Sequence, residues 1–316
     1  MVRFVIRRLI GMVVVLFVVS VLTFAIFTVI PGGAPEDRMA GRTATPTQIA
    51  AIRRDWGFDQ PLYVQYLRMM KLTFTGHVIS YKDQTNVVDE IEQGAPRTFA
   101  LAIGAAIIWM LAGIALGLYG AARAGRVADR LINGLALVGI SLPVFWVGAL
   151  ASHYLGFELG LFPDGGYAEI GTDGLAQWFW HLVLPWCVLA LGFVGVYSRV
   201  VRAGALDVLD TDYVRAARAK GLSERQVLVR HVLPNALIPV ITLFGLDFAA
   251  VLGGGAVLTE SVFDLQGVGQ YFADSIGRLD VPPVLAITIF GTFLIVALNT
   301  LTDILYAFLD PRIRLS

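Results

Sequence analysis

Six stretches of this chain run for roughly twenty residues or more with almost no charge, and no other feature restricts the fold as strongly. They are Leu9–Ile30, Thr98–Ala121, Leu131–Phe157, Gln177–Arg199, Leu237–Leu258 and Val284–Leu309. As helices, each reaches about 30 Å or more, enough to cross the hydrocarbon core of a bilayer. A soluble protein with a large core needs no such repeated runs. Only 15% of the 316 residues are charged, against about 25% in soluble domains, and mean hydropathy is +0.72. The expected fold class is all-α: a polytopic membrane protein with six transmembrane helices.

Charge placement sets the orientation. Arg3, Arg7 and Arg8 precede the first run, which is too long for a signal-peptide core and lacks a following Ala-x-Ala site, so it reads as a retained anchor. Arg123, Arg126 and Arg130 fall in the second connection, seven Lys/Arg lie from Arg199 to Arg230, and Arg312 and Arg314 follow the last run. The connection Glu158–Asp173 carries four acids and no base, and Thr259–Pro283 carries four acids and Arg278 alone. The positive-inside rule therefore places both termini in the cytoplasm. The expected organisation is an N-terminal membrane helix (1–30), an extracytoplasmic insertion (31–97) and a five-helix core (98–316) with a cytoplasmic segment at 200–234. Within the insertion, Pro46–Trp56 and Tyr63–Phe74 have helical spacing and predict a small helical cap. Cys187, the sole cysteine, lies in an apolar run and reads as a packing residue.

The cytoplasmic segment Asp210–Pro234 interrupts the apolar pattern with bases. Asp210 or Thr211 can N-cap a short helix, Asp212 suits its first turn, Arg218 and Lys220 its last, and Gly221 its C′ position. A helix of about nine residues is predicted, with Tyr213, Ala216, Ala217 and Lys220 sharing a face. Ser223 and Gln226 form a capping-box pattern opening a second helix, and Pro234 marks its bend. Local physics allows two roles: docking on a soluble partner, or lying on anionic lipid through Arg215, Arg218, Lys220, Arg225 and Arg230.

The order Arg215-Ala-Ala, three residues, Gly221, nine residues, His231-Val-Leu-Pro234 resembles the EAA motif of permease subunits in binding-protein-dependent ABC importers. Arg215 stands where that motif has glutamate, and His231 where it has isoleucine. The form Tyr213-Val-Arg-Ala-Ala-Arg-Ala-Lys-Gly221 is similar to the oligopeptide/dipeptide/nickel branch. So are the early Ile-Arg-Arg-Leu run ending at Pro31-Gly32, Trp56-Gly-Phe-Asp-Gln-Pro-Leu62 with Gln65-Tyr66-Leu67, Ser141-Leu-Pro-Val-Phe-Trp146, and Thr259-Glu-Ser-Val-Phe263 with Gly267-Val-Gly269. Gly76-His-Val-Ile-Ser80 departs from the branch's Gly-Asp-Leu-Gly-x-Ser pattern.

The resemblance implies a type I importer permease in a prokaryotic inner membrane. It would form half of a peptide pathway, with Tyr213, Arg215, Ala216, Ala217, Lys220 and Gly221 coupling it to an ATPase. The implied partners are a second homologous permease (a heterodimer), two ATPases carrying ATP and Mg, and an extracytoplasmic solute-binding protein; no cofactor and no nucleic acid is expected on this chain. Relatives of this type also carry nickel chelates, glutathione and sugars.

Within the membrane, Asp247 sits near mid-span, where a carboxylate must face water or a partner. It reads either as a pathway acid meeting a cationic group or as a hydrogen-bonded residue between helices. Pro143 should kink the third span, and the resemblance makes Phe145 and Trp146 gate candidates, with ordinary aromatic packing as the other reading. Gly253–Gly255 favour close helix crossing over a bend, and Gly113 and Gly117 form a GxxxG pair. Asn299 and Asp303 are expected to hydrogen-bond neighbouring helices. His153 and His181 read as interfacial histidines, with no metal spacing. The sequence contains no Gly-x4-Gly-Lys-Ser/Thr phosphate loop, no His-Glu-x-x-His and no Gly-x-Ser-x-Gly, which argues against an ATPase or an intramembrane enzyme. An ion-driven transporter is the other class, and it would need more buried ligands than Asp247.

Overall fold

The computed structural model describes residues 2–29, 35–40 and 45–309. Pro31, Gly32, Arg312 and Arg314 lie outside the described residues, as do the side chains of Arg3 and Asp303. In chain order the helices are α1 (Val2–Val29), α2 (Pro35–Ala40), α3 (Pro46–Trp56), α4 (Leu62–Phe74), α5 (Val87–Ala122), α6 (Val127–Ser141), α7 (Val144–Ala151), α8 (Ile170–Leu209), α9 (Asp212–Ala219), α10 (Glu224–Val227), α11 (Leu233–Ala236), α12 (Ile238–Ala250), α13 (Val257–Val262), α14 (Val268–Gly277) and α15 (Val281–Leu309). Wider π-helical turns follow α7, α10 and α12. Among the described residues there is no strand, only a bridge between Ile79 and Asn86.

Five helical stretches are long and apolar enough to cross a bilayer: Ile6–Thr28, Val87–Ala122, Ile170–Leu209, Ile238–Gly255 and Val281–Thr302. The expected third span is broken. Val127–Ser141 and Val144–Glu158 pass the same test only as a pair, bent by 96°. Pro143 therefore ends one helix and opens another, rather than kinking a continuous one. Leu142, immediately before it, is extended at φ −83°, ψ 133°, because a proline ring crowds the preceding residue out of helical geometry.

The chain divides into two compact units. The first takes in the chain up to Arg97 together with Gln266–Ala297. Both cap helices expected from the sequence are present. Thr45 caps α3 in a reciprocal capping box with Gln48, and Gly57 closes it at φ +73°. The cap is tied down by Asp280, which is buried. Its carboxylate accepts from Ser80 Oγ at 2.5 Å, Tyr81 N at 3.0 Å and Lys82 N at 3.3 Å. Burial, with Asp280 and Glu90 nearby, pushes the Tyr271 hydroxyl above the usual phenol range. Val78, Val87, Ile91, Val268, Ala286 and Ile287 form one apolar cluster, and Phe24, Leu285 and Ile289 another.

The second unit takes in Thr98–Leu265 and the chain from Leu298 on. It is organised around α8, against which α6, α7 and α11 pack. Gly113 and Gly117 of α5 meet α8 so closely that a Cβ at Gly113 would stand 2.6 Å from Tyr197 Cβ, and one at Gly117 2.5 Å from the Ser198 carbonyl. The GxxxG pair thus serves packing within the chain. Gly254 and Gly255 do not pack a crossing. With Gly253 they belong to the π-helical turn after α12, where Gly254 stands at φ +139° in open space and breaks the helical course. Cys187 is exposed on α8, not packed. Asn299 Oδ1 is buried with no hydrogen-bond partner among the described residues.

Candidate coupling site and membrane pathway residues

The cytoplasmic segment folds close to its sequence reading. Thr211 takes the N-cap position of α9 (φ −78°, ψ 154°), but its hydroxyl turns back to donate to the Val208 carbonyl at 2.6 Å, so it ties α9 to the end of α8. The helix has eight residues. Lys220 follows it, and Gly221 sits at φ +83°, a conformation only glycine adopts without strain. Ser223 and Gln226 make the full capping box, with Gln226 N to Ser223 Oγ at 3.4 Å and Ser223 N to Gln226 Oε1 at 3.0 Å.

The faces of α9 divide sharply. Val214 and Ala217 are buried with Ala121, Ala205, Val227, Val232 and Ala236, at the cytoplasmic ends of α5 and α8. Full burial of Val214 contributes about 1.5–3 kcal/mol, enough to hold so short a helix in place. Ala217 therefore faces the chain's own core, whereas Asp212, Tyr213, Arg215, Ala216, Arg218 and Lys220 are exposed. The outward residues are themselves arranged. The Tyr213 hydroxyl accepts from Asn235 Nδ2 at 2.9 Å and donates to the His231 carbonyl at 3.3 Å. Arg218 grips Glu224 through two bonds of 2.9 and 3.2 Å. Arg215 reaches the Asp210 carbonyl at 2.9 Å and Asp212 at 3.3 Å.

Immediately above this segment lies a pair that the sequence reading missed. Arg202 of α8 donates twice to Asp129 of α6, at 2.5 and 2.8 Å, and Asp129 is buried. Gly125 N and Asn133 Nδ2 complete the carboxylate's shell at 2.9 and 2.8 Å. A lone acid among the bases of the second connection was the available signal.

Deeper in the membrane, Asp247 is partly buried and accepts from the Tyr197 hydroxyl at 2.9 Å. Tyr197 is fully buried beside Trp109, whose ring lies 6.3 Å away and also neighbours Phe193 and Phe244. The other pathway candidates are elsewhere. Pro143 heads α7, and Phe145 and Trp146 in its first turn are exposed, while Gly148 packs on Val262 and Phe263. His153 faces Glu158 at 3.8 Å, and His181 Nδ1 meets the Gln177 carbonyl at 2.8 Å. No group of side chains suited to a metal ion occurs among the described residues.

Comparison with known proteins agrees along the whole chain. Residues 110–315 match the binding-protein-dependent transport system inner membrane component, and residues 1–102 match the N-terminal component of the same transport systems. A probable peptide ABC transporter permease of Sinorhizobium fredii is 33% identical, covering 98% of this chain and 99% of its own. A dipeptide transport permease of Bacillus subtilis is 34% identical over 100% and 99%. A glutathione transport permease of Escherichia coli is 36% identical over 99% of each.

Proposed function

The chain belongs to the inner-membrane components of binding-protein-dependent transport systems, and from that membership we propose that it is one permease half of an ATP-driven peptide importer. It is a multi-pass protein of a prokaryotic inner membrane. Peptide as the cargo is supported by full-length relatives named for peptide and dipeptide transport; glutathione, named for another, is itself a peptide.

The observation that carries the reading is the construction of α9. A short helix is tied to the end of α8 through Thr211 and seated on the chain's core by Val214 and Ala217. It offers Tyr213, Arg215, Ala216 and Lys220 outward, and Gly221 ends it. Such a helix can enter a cleft on an ATPase and carry its movement into the membrane. The chain itself is then non-catalytic. ATP and Mg are held by two ATPase subunits, a related second permease completes the pathway, and a solute-binding protein delivers the peptide. Asp247 is the pathway group, releasing Tyr197 to meet a peptide's ammonium terminus, with Phe145 and Trp146 beside Pro143 as gate residues.

Reconstitution in proteoliposomes tests this. With the second permease, both ATPases and the binding protein, labelled dipeptide should accumulate only with ATP. Accumulation by permeases alone would sink the proposal.

A further inference from the structure

We propose that α4 is an in-plane membrane helix, sunk into the extracytoplasmic leaflet, with its exposed face covered by phospholipid acyl chains. The sequence reading placed this helix in a cap above the membrane. Its contacts put it lower. The Tyr66 hydroxyl pairs with Ser20 Oγ at 2.7 Å, and the Tyr66 ring meets Phe24 edge-on at 5.5 Å. Met69 and Met70 pack on the cluster of Phe24, Leu285 and Ile289. Ser20 lies eight residues inside the span Ile6–Thr28, and Ile289 eight residues inside Val281–Thr302. At the helical rise both lie about 12 Å below the outer ends of their spans, within the outer half of a hydrocarbon core about 30 Å thick. A helix hydrogen-bonded at that depth on one span, and packed on a cluster that reaches Ile289 on another, lies beside the leaflet, not over it.

The face turned away from the spans has matching chemistry. Tyr63, Leu67 and Phe74 recur on one side of α4 and are 68%, 61% and 76% exposed. Helix α4 contains no acid, and its two bases can reach the interface by extending their stems. Arg68 already does so, donating to the Trp56 and Asp55 carbonyls at 3.0 and 3.4 Å, while Lys71 stands between Leu67 and Phe74. Large apolar side chains left bare in water are unfavourable, whereas an apolar stripe edged by bases is what an interfacial helix presents to lipid.

The test uses the assembled transporter in nanodiscs, with Cys187→Ala and single nitroxide labels at Tyr63→Cys, Leu67→Cys or Phe74→Cys, and Gln48→Cys and Asp59→Cys as aqueous controls. The ratio of collision rates with oxygen and with a water-soluble nickel chelate should be severalfold higher at the three α4 positions than at the controls. A ratio equal to the controls overturns the proposal, because the face is then in water. Exclusion of both reagents at all three positions overturns it equally, because a protein subunit then covers the face.

Discussion

Arg202 and Asp129 are held together by two hydrogen bonds of 2.5 and 2.8 Å, so that α8 and α6 are fastened just above the point where α8 hands over to the coupling segment. The carboxylate is buried and its remaining capacity is taken by Gly125 N and Asn133 Nδ2. Removing one partner of such a pair leaves the other charge without compensation. Asp129→Ala should therefore destabilise the chain by about 3 kcal/mol, the low end of the range for buried pairs because Arg202 keeps some solvent contact. Thermal unfolding in detergent measures it. The double variant Asp129→Ala/Arg202→Met should recover part of the loss.

Gly221 has open space around it, so a methyl group meets no neighbour there, but its φ of +83° disfavours any side chain. Gly221→Ala should cost about 1–2 kcal/mol through backbone strain alone. Gly221→Asn should cost less, because asparagine tolerates this region. The measurement is ATPase co-purification and substrate-stimulated ATP hydrolysis, with both falling more for alanine than for asparagine.

Arg215 is exposed and its ion pair with Asp212 contributes about 0.2–1 kcal/mol at most. Arg215→Ala should leave membrane insertion and melting temperature nearly unchanged while weakening ATPase association. An equal fall in expression and in association would instead mark Arg215 as a folding residue.

Much of this segment was legible beforehand because its signals are local. The capping box of Ser223 and Gln226 and the break at Gly221 each lie within a few residues of the turn they shape. Ala217 was misassigned to the outward face because spacing alone cannot say which side of a short helix has a core to meet. The pairs Asp129–Arg202 and Ser80–Asp280 were missed for a different reason. Their partners are 73 and 200 positions apart, and only the packing of helices brings them together. Gly253–Gly255 show the same limit: small residues permit both close crossing and bending, and the neighbouring helices decide.

Tyr197 donates to Asp247 from a fully buried ring, so Tyr197→Phe should keep the packing and remove only the donor. The unpaired carboxylate should cost about 1–3 kcal/mol and reduce peptide uptake. Asp247→Asn, which still accepts from Tyr197, should preserve stability and separate the charge from the hydrogen bond in uptake assays.

Asp280 gathers three donors from the Ser80–Lys82 turn. Asp280→Ala should strand the Ser80 hydroxyl and Tyr81 N, leave Lys82 N only its bond to Ser80 Oγ at 3.2 Å, and free the cap, with a loss of about 2–3 kcal/mol. Faster amide exchange at Tyr81 and Lys82, with unchanged exchange in α9, is the expected signature.

The two halves of the bent crossing, Val127–Ser141 and Val144–Glu158, each rise only about 22 Å, too short to cross alone. Between them Leu142 is extended, yet its N–H still donates to the Val138 carbonyl at 3.1 Å and the Pro143 carbonyl accepts from Trp146 N and Val147 N, so the bend keeps these backbone groups paired, as a bilayer demands. Both halves pack on α8, which leaves the ribosome after them. The third crossing therefore completes its packing only when a helix made later arrives to receive it.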